Sequence, residues 1–225
     1  MTAPAWLRGG ALGLVWLLAL PFAVYAAVFG WRGLRDDLSA ESYLFATGAP
    51  GAETALSLHM LSGAGLTALV LVQALPVLRR RWPGLHRSLG RILVAAAGVT
   101  ALGGLIFIAR VGTIGGPLMS AGFTLYGLLM LWAAAETFRY ARARRIALHR
   151  DWAIRLILLA LASWIYRVHY GLWALLTGGW GSTPDFTGPF DRIQMFAFYL
   201  PYLALFEILR RRRRQNPLDP AGRSR

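Results

Sequence analysis

Apolar residues in this chain fall into six long runs, at 11–29, 55–78, 89–109, 118–138, 153–176 and 193–209, with the charged residues gathered between them. A helix needs about 20 predominantly apolar residues to cross a bilayer. The runs reach that scale, the last being the shortest, so the pattern predicts six transmembrane helices. The fold class that follows is an all-α integral membrane protein, with spans two to five as a four-helix core. Residues 1–209 form its single transmembrane domain. Residues 210–225, opening on five consecutive arginines, read as a disordered basic tail. The "AVYA" at the end of the first run resembles a signal-peptide cleavage point. The run is longer than a signal core of about 7–15 residues, so it is read as a span.

Charge orients the spans. The chain has 24 basic residues, all arginine, and 10 acidic ones. Nineteen of the arginines fall in the N-terminal segment, the second and fourth links and the tail, and four (Arg32, Arg35, Arg110, Arg192) fall on the other side. The remaining one, Arg167, lies inside the fifth run. Arginine-rich links stay cytoplasmic, which predicts both termini inside. A net charge of +14 could suggest nucleic acid, but the arginines adjoin apolar runs. Anionic lipid headgroups at the cytoplasmic face are the expected partner. At 56% hydrophobic and 15% charged, the composition is too apolar for a soluble domain and fits a multi-pass protein of a bacterial cytoplasmic membrane.

Two inner links carry nearly the same words. "LHRSLGR" begins at Leu85 and "LHRDWAIR" at Leu148. Each is expected to form the turn between a descending and an ascending helix, giving two hairpins of the same orientation. Such repeats often build a site where they meet. His86, Arg87, Arg91, His149, Arg150 and Arg155 are therefore candidates for one anion site at the cytoplasmic face. His86 and His149 are the candidates if a metal is held there instead.

From His59 to about Arg167 the chain resembles a bacterial membrane family, domain of unknown function 2306. The resemblance rests on the histidine-bearing "HMLSGAGLTALVLVQALPVLRRRWPGLHRSLGR", the "GF" of the fourth span and "HRDWAIRLILLALASWIYR". His59, His86, Arg87, Gly90, Arg91, His149, Arg150, Trp152, Arg155 and Arg167 match its pattern. It implies a membrane protein with a histidine-bearing helical core and no particular reaction.

The depth of each histidine follows from a rise of about 1.5 Å per residue. His59 and His169 come out roughly 12 and 8 Å to the outer side of their span centres, and His86 and His149 about 20 Å to the inner side. An outer pair and an inner pair resemble, in outline, two-haem cytochromes b, where each haem takes imidazoles from two helices. Against two haems, His149 and His169 lie about 30 Å apart along one helix and on nearly opposite faces of it. The outer pair remains a candidate for one haem b or for a quinone, with Arg167, Arg110 and Gln73 beside it. His59, Ser62, Gly63 and Gln73 share one face of the second span. In lipid that face should turn toward protein or water, as a ligand surface or as an interhelical hydrogen-bonding stripe. Arg167 lies about 5 Å from a span centre. Placing a charge there costs at least about 2.5–3.5 kcal/mol, so it requires a partner such as His59, a carbonyl or an anionic ligand. "AAAG" at Ala95 and the Gly103–Gly104 pair predict close packing by the third span.

Other chemistry is excluded by inventory. Without cysteine there is no thiolate metal site, disulfide or cysteine nucleophile. Without lysine there is no Schiff base. Glycine-rich phosphate loops, HExxH and a serine nucleophile elbow are also missing from the sequence. Two functions remain: a small redox membrane protein that binds haem b or a quinone through histidine and arginine, or a non-enzymatic transporter or lipid-binding accessory subunit.

Overall fold

In a computed structural model, which describes residues 5–215, the chain is folded into eight α-helices. They are α1 (Ala5–Arg32), α2 (Pro50–Ala74), α3 (Pro76–Arg81), α4 (Pro83–Val111), α5 (Gly116–Arg142), α6 (Ile146–Thr177), α7 (Pro189–Ala197) and α8 (Leu200–Gln215). Five of them, α1, α2, α4, α5 and α6, are each long and apolar enough to cross a membrane. The sixth predicted span is not one helix: α7 and α8 meet at a 41° bend and pass the same test only as a pair.

Proline explains where the helices depart from the apolar runs. The second run was expected to continue to residue 78, but α2 stops at Ala74. Leu75 precedes Pro76 and is extended (φ −64°, ψ 126°), as the clash with a following proline ring dictates. Pro83 then occupies the first turn of α4, where its missing N–H has no cost. As a result the two His-Arg clusters are not turns, as expected, but lie inside the opening turns of α4 and α6. The turn before α6 is made instead by Arg144, in the left-handed region at φ 55°. At the other end of the chain α8 runs through Gln215. Residues 210–215 of the basic segment are thus helical, and the disorder expected of 216–225 lies outside the described residues.

The core is the expected four-helix bundle. α2 packs on α4, α4 on α5, α5 on α6, and α6 closes the ring on α2. Leu66, Ala97, Met130, Leu159 and Ala162 are buried at its centre. α1 lies along α2 on the outside of the ring, while α7 packs on α5 and α8 on α6. Leu14, Leu17, Ile92 and Leu175 are exposed on the outer surface, as lipid-facing side chains are. Lipid supplies no hydrophobic force between helices, so close backbone approach must hold them together. Gly103 provides it: a β-carbon there would run into the Ala55 carbonyl oxygen and the His59 backbone. The close packing predicted for the third span is therefore seen at Gly103 on the α2–α4 contact, but not along "AAAG", where Ala95 is exposed and a β-carbon at Gly98 would meet nothing within 4 Å.

Candidate functional site

A cavity of about 610 Å³ opens between α1, α2, α4, α5 and α6. Most of its wall is apolar, with Phe22, Leu66, Phe107, Phe123 and Met130 among the lining side chains. Tyr43, Ile114 and Phe186, from three loops at one end of the bundle, also line it. His59 and Arg167 both face this space.

The Gly103–Gly104 pair makes room for His59. A β-carbon at Gly104 would stand 3.1 Å from the His59 Nδ1 atom. That nitrogen lies 2.6 Å from the Thr100 carbonyl oxygen, which can only accept, so Nδ1 carries the proton. In the neutral ring Nε2 is then left bare, and it forms no hydrogen bond among the described residues. A hydrogen bond to one ring nitrogen in this way presets the other to bind a metal or accept a proton. Along the same face of α2, the Ser62 and Thr100 hydroxyls are 2.8 Å apart, and Gly63 sits beside Thr100. Farther along, the Gln73 Nε2 donates to the His86 carbonyl at 2.8 Å. The polar stripe of the second span thus faces α4 and works largely as an interhelical hydrogen-bonding surface.

Arg167 projects from α6. Its NH1 donates to the Ser163 carbonyl and hydroxyl at 2.9 and 3.1 Å, and its guanidinium stands 4.5 Å from the centre of the Phe22 ring on α1. The phenol oxygens of Tyr166, Tyr25, Tyr126 and Tyr43 are near enough to interact with its charge, and His59 also feels it. No carboxylate pairs with Arg167 among the described residues. Sequence reasoning foresaw a carbonyl partner but missed the aromatic one, because it gave no register between α1 and α6.

The other outer candidates lie elsewhere. His169 shares hydrogen bonds with the Gln194 side chain and, at 2.7 Å, with the Tyr202 hydroxyl, so it faces α7 and α8 and not His59. The structure therefore does not assemble the outer histidine pair. Arg110 borders a separate hollow of about 250 Å³ at the start of α2, with Pro50 and Gly51. Gln73 belongs to the α2–α4 contact just described.

At the arginine-rich end, Arg155 is committed to Glu207 of α8, its Nε donating at 2.7 Å, and stacks over Trp152 and Phe206. Arg210 bridges Glu207 at 2.8 Å and Asp151 at 3.7 Å. Arg87, Arg91 and Arg150 are exposed. His149 Nδ1 donates to the Thr137 carbonyl at 2.9 Å. His86 lies within electrostatic range of both Arg79 and His149. The His86 Nδ1 and Gln73 Oε1 atoms are buried without a hydrogen-bond partner among the described residues. Among the described residues no group of three or more His, Asp or Glu side chains is placed to hold a metal.

The loop that closes the opposite end depends on Asp191, which the sequence did not single out. It is fully buried. Its Oδ2 accepts the Thr183 and Gly188 backbone N–H groups at 2.9 and 3.0 Å, and its Oδ1 accepts the Tyr170 and Ser182 hydroxyls at 2.7 and 2.8 Å. The available signal was "GPFD", with a carboxylate three residues after a helix-capping glycine. In the same loop, the Thr183 and Thr187 hydroxyls hold the exposed Asp185 carboxyl below the usual carboxylate range.

A family model described as a predicted membrane protein, DUF2306, matches residues 56–210. The match covers more than half of the chain, which belongs to that family and is a multi-pass membrane protein. It reaches from α2 into α8, beyond the His59–Arg167 stretch that carried the resemblance. No curated protein and no solved structure matches the chain, and nothing supports the outline likeness to cytochromes b.

Proposed function

We propose that this DUF2306 member binds a quinone-type amphiphile, an oxygen-bearing aromatic head on a lipophilic tail, in the cavity between α1, α2, α4, α5 and α6. The observation that carries this reading is the pairing of two complementary groups on one apolar wall. Arg167 is a donor without a carboxylate partner, suited to a quinone carbonyl. His59 is an acceptor at Nε2, suited to the hydroxyl of the reduced form. The quinone is favoured over haem b because the second imidazole, His169, is already engaged by Gln194 and Tyr202. The setting is the bacterial cytoplasmic membrane, with the arginine-rich end inward against anionic headgroups.

The test is direct. Purified protein is extracted for bound quinone, scanned for a Soret band and titrated with a short-chain ubiquinone analogue. Wild type should bind the analogue. Arg167→Gln and His59→Ala should each weaken binding by roughly 10- to 100-fold, the loss of one strong hydrogen bond. A haem spectrum, or colourless protein that carries phospholipid and ignores the analogue, would overturn the reading in favour of a haem protein or a lipid-binding subunit respectively.

A further inference from the structure

Resting on that reading, we propose that Tyr166, Tyr170 and Asp191 form a proton path between the cavity and the loop that closes the bundle opposite its arginine-rich end. Tyr166 lines the cavity. Its hydroxyl donates to the Tyr170 hydroxyl at 3.4 Å, and Tyr170 donates to Asp191 Oδ1 at 2.7 Å. Every donor in this series points away from the cavity, and the Tyr166 oxygen keeps a lone pair for a hydroxyl bound there. The 3.4 Å step is the longest and sets the pace.

Asp191 does more than cap a helix. Oδ2 takes the two backbone N–H groups that hold the loop and, at 3.3 Å, the Thr183 hydroxyl. Oδ1 takes two hydroxyls at shorter range, Tyr170 from the cavity side and Ser182 from the loop side. A capping carboxylate needs only the backbone set. The two hydroxyls make Oδ1 a junction between two movable protons. Beyond it, the Thr183 hydroxyl lies 3.4 Å from that of exposed Thr187, which donates to exposed Asp185 at 3.0 Å. Buried carboxylates in membrane helices mark proton relays for this reason: they are costly to place and can take up a proton where water is scarce.

The transfer balances without electrons. The O–H bond of the bound head breaks as its proton joins the Tyr166 oxygen. The Tyr166 proton moves to Tyr170, and the Tyr170 proton to Asp191 Oδ1. Each tyrosine ends neutral, the head becomes an oxyanion beside Arg167, and Asp191 becomes a neutral acid. Rotation of the Ser182 hydroxyl then lets its oxygen accept the proton and pass it to water.

The experiment uses full-length protein in lipid nanodiscs and an alkylated β-naphthol, a lipophilic hydroxyaromatic that turns strongly acidic on excitation. Wild type should bind the naphthol and show naphtholate emission above that of empty nanodiscs. Tyr166→Phe and Tyr170→Phe preserve the ring contacts with Phe198 and with Phe190. Tyr170→Phe, at a residue that does not line the cavity, should bind it as wild type does, and Tyr166→Phe more weakly; at saturating naphthol both should show emission reduced to the empty-nanodisc level. Asp191→Asn should match them, but the loop depends on it, so the tyrosine variants decide. If either deprotonates the naphthol as wild type does, or if His59→Ala saturated with naphthol shows no emission, the path is overturned while the binding site stands. Wild type that fails to bind the naphthol overturns both.

Discussion

The guanidinium of Arg167 on α6 stands 4.5 Å from the ring centre of Phe22 on α1, and both residues line the same cavity. α1 otherwise packs along α2, so this cation–π contact is a link between α1 and the far side of the bundle. Such contacts are worth about 2 kcal/mol or more when desolvated, and about 0.5–1 kcal/mol when exposed. Arg167 is exposed to the cavity side, so the lower figure is the better guide. A double-mutant cycle with Phe22→Leu and Arg167→Met should give a coupling of roughly 0.5–1 kcal/mol in thermal or denaturant unfolding. Zero coupling would mean that the two side chains are neighbours without being partners.

Gly103 makes a second prediction. It lies against the backbone of α2 at the turn that carries His59. Gly103→Ala should push α4 from α2 at a cost of about 1–3 kcal/mol, the usual penalty of overpacking. It should also weaken binding of the quinone analogue, since the Thr100 carbonyl that sets His59 is on the displaced helix. Gly98, whose added β-carbon would meet nothing within 4 Å, is the control: Gly98→Ala should leave both readings unchanged. Equal behaviour of the two variants would separate the glycine from the site.

Orientation is tested by reporter fusions. Arginine asymmetry places the loops at Ala49, Gly115 and Thr183 outside, and those loops lie at the ends of helices remote from the His86 and His149 turns. Fusions at all three positions should report the outer compartment. A cytoplasmic signal from any one of them would invert the direction of the proposed proton path as well as the topology.

Five of the six spans and the bundle were legible because run length alone fixes what can cross a membrane, and four consecutive spans with short links pack in a ring. The pocket for His59 was half legible. Gly103–Gly104 advertised close packing, and the polar face of the second span advertised a partner, but not that the partner was the Thr100 carbonyl. His169 shows why the rest was hidden. Counting residues gives depth along a helix, and 100° steps compare residues within one helix. Neither relates the direction of His169 on α6 to that of His59 on α2. That depends on where α7 and α8 fold back, and their bend at Phe198 and Tyr199 was masked by one continuous apolar run. Tyr166 and Tyr170 were not singled out, although their i, i+4 spacing places both side chains on one face.

The arginine-rich end supplies the last prediction. His86 and His149 open α4 and α6, and each lies within electrostatic reach of the other. They are not equivalent. His149 is anchored through Nδ1 to Thr137, whereas His86 Nδ1 and the adjoining Gln73 Oε1 are buried with no partner. A buried polar atom without a partner costs about 1–3 kcal/mol, and here two occur at one helix contact. His86→Ala should therefore cost little, because it removes one of them, while His149→Ala should cost roughly 1 kcal/mol through the lost bond to Thr137. If the two clusters share a phosphate or carboxylate group, the double variant should depart from additivity by about 0.5–3 kcal/mol in vesicles containing phosphatidylglycerol. In vesicles of neutral lipid alone, added inorganic phosphate should restore the departure if the site takes free anions, and leave it absent if it takes headgroups. Strict additivity under all three conditions would reduce the repeated His-Arg motif to ordinary anchoring of two helix ends at a basic membrane face.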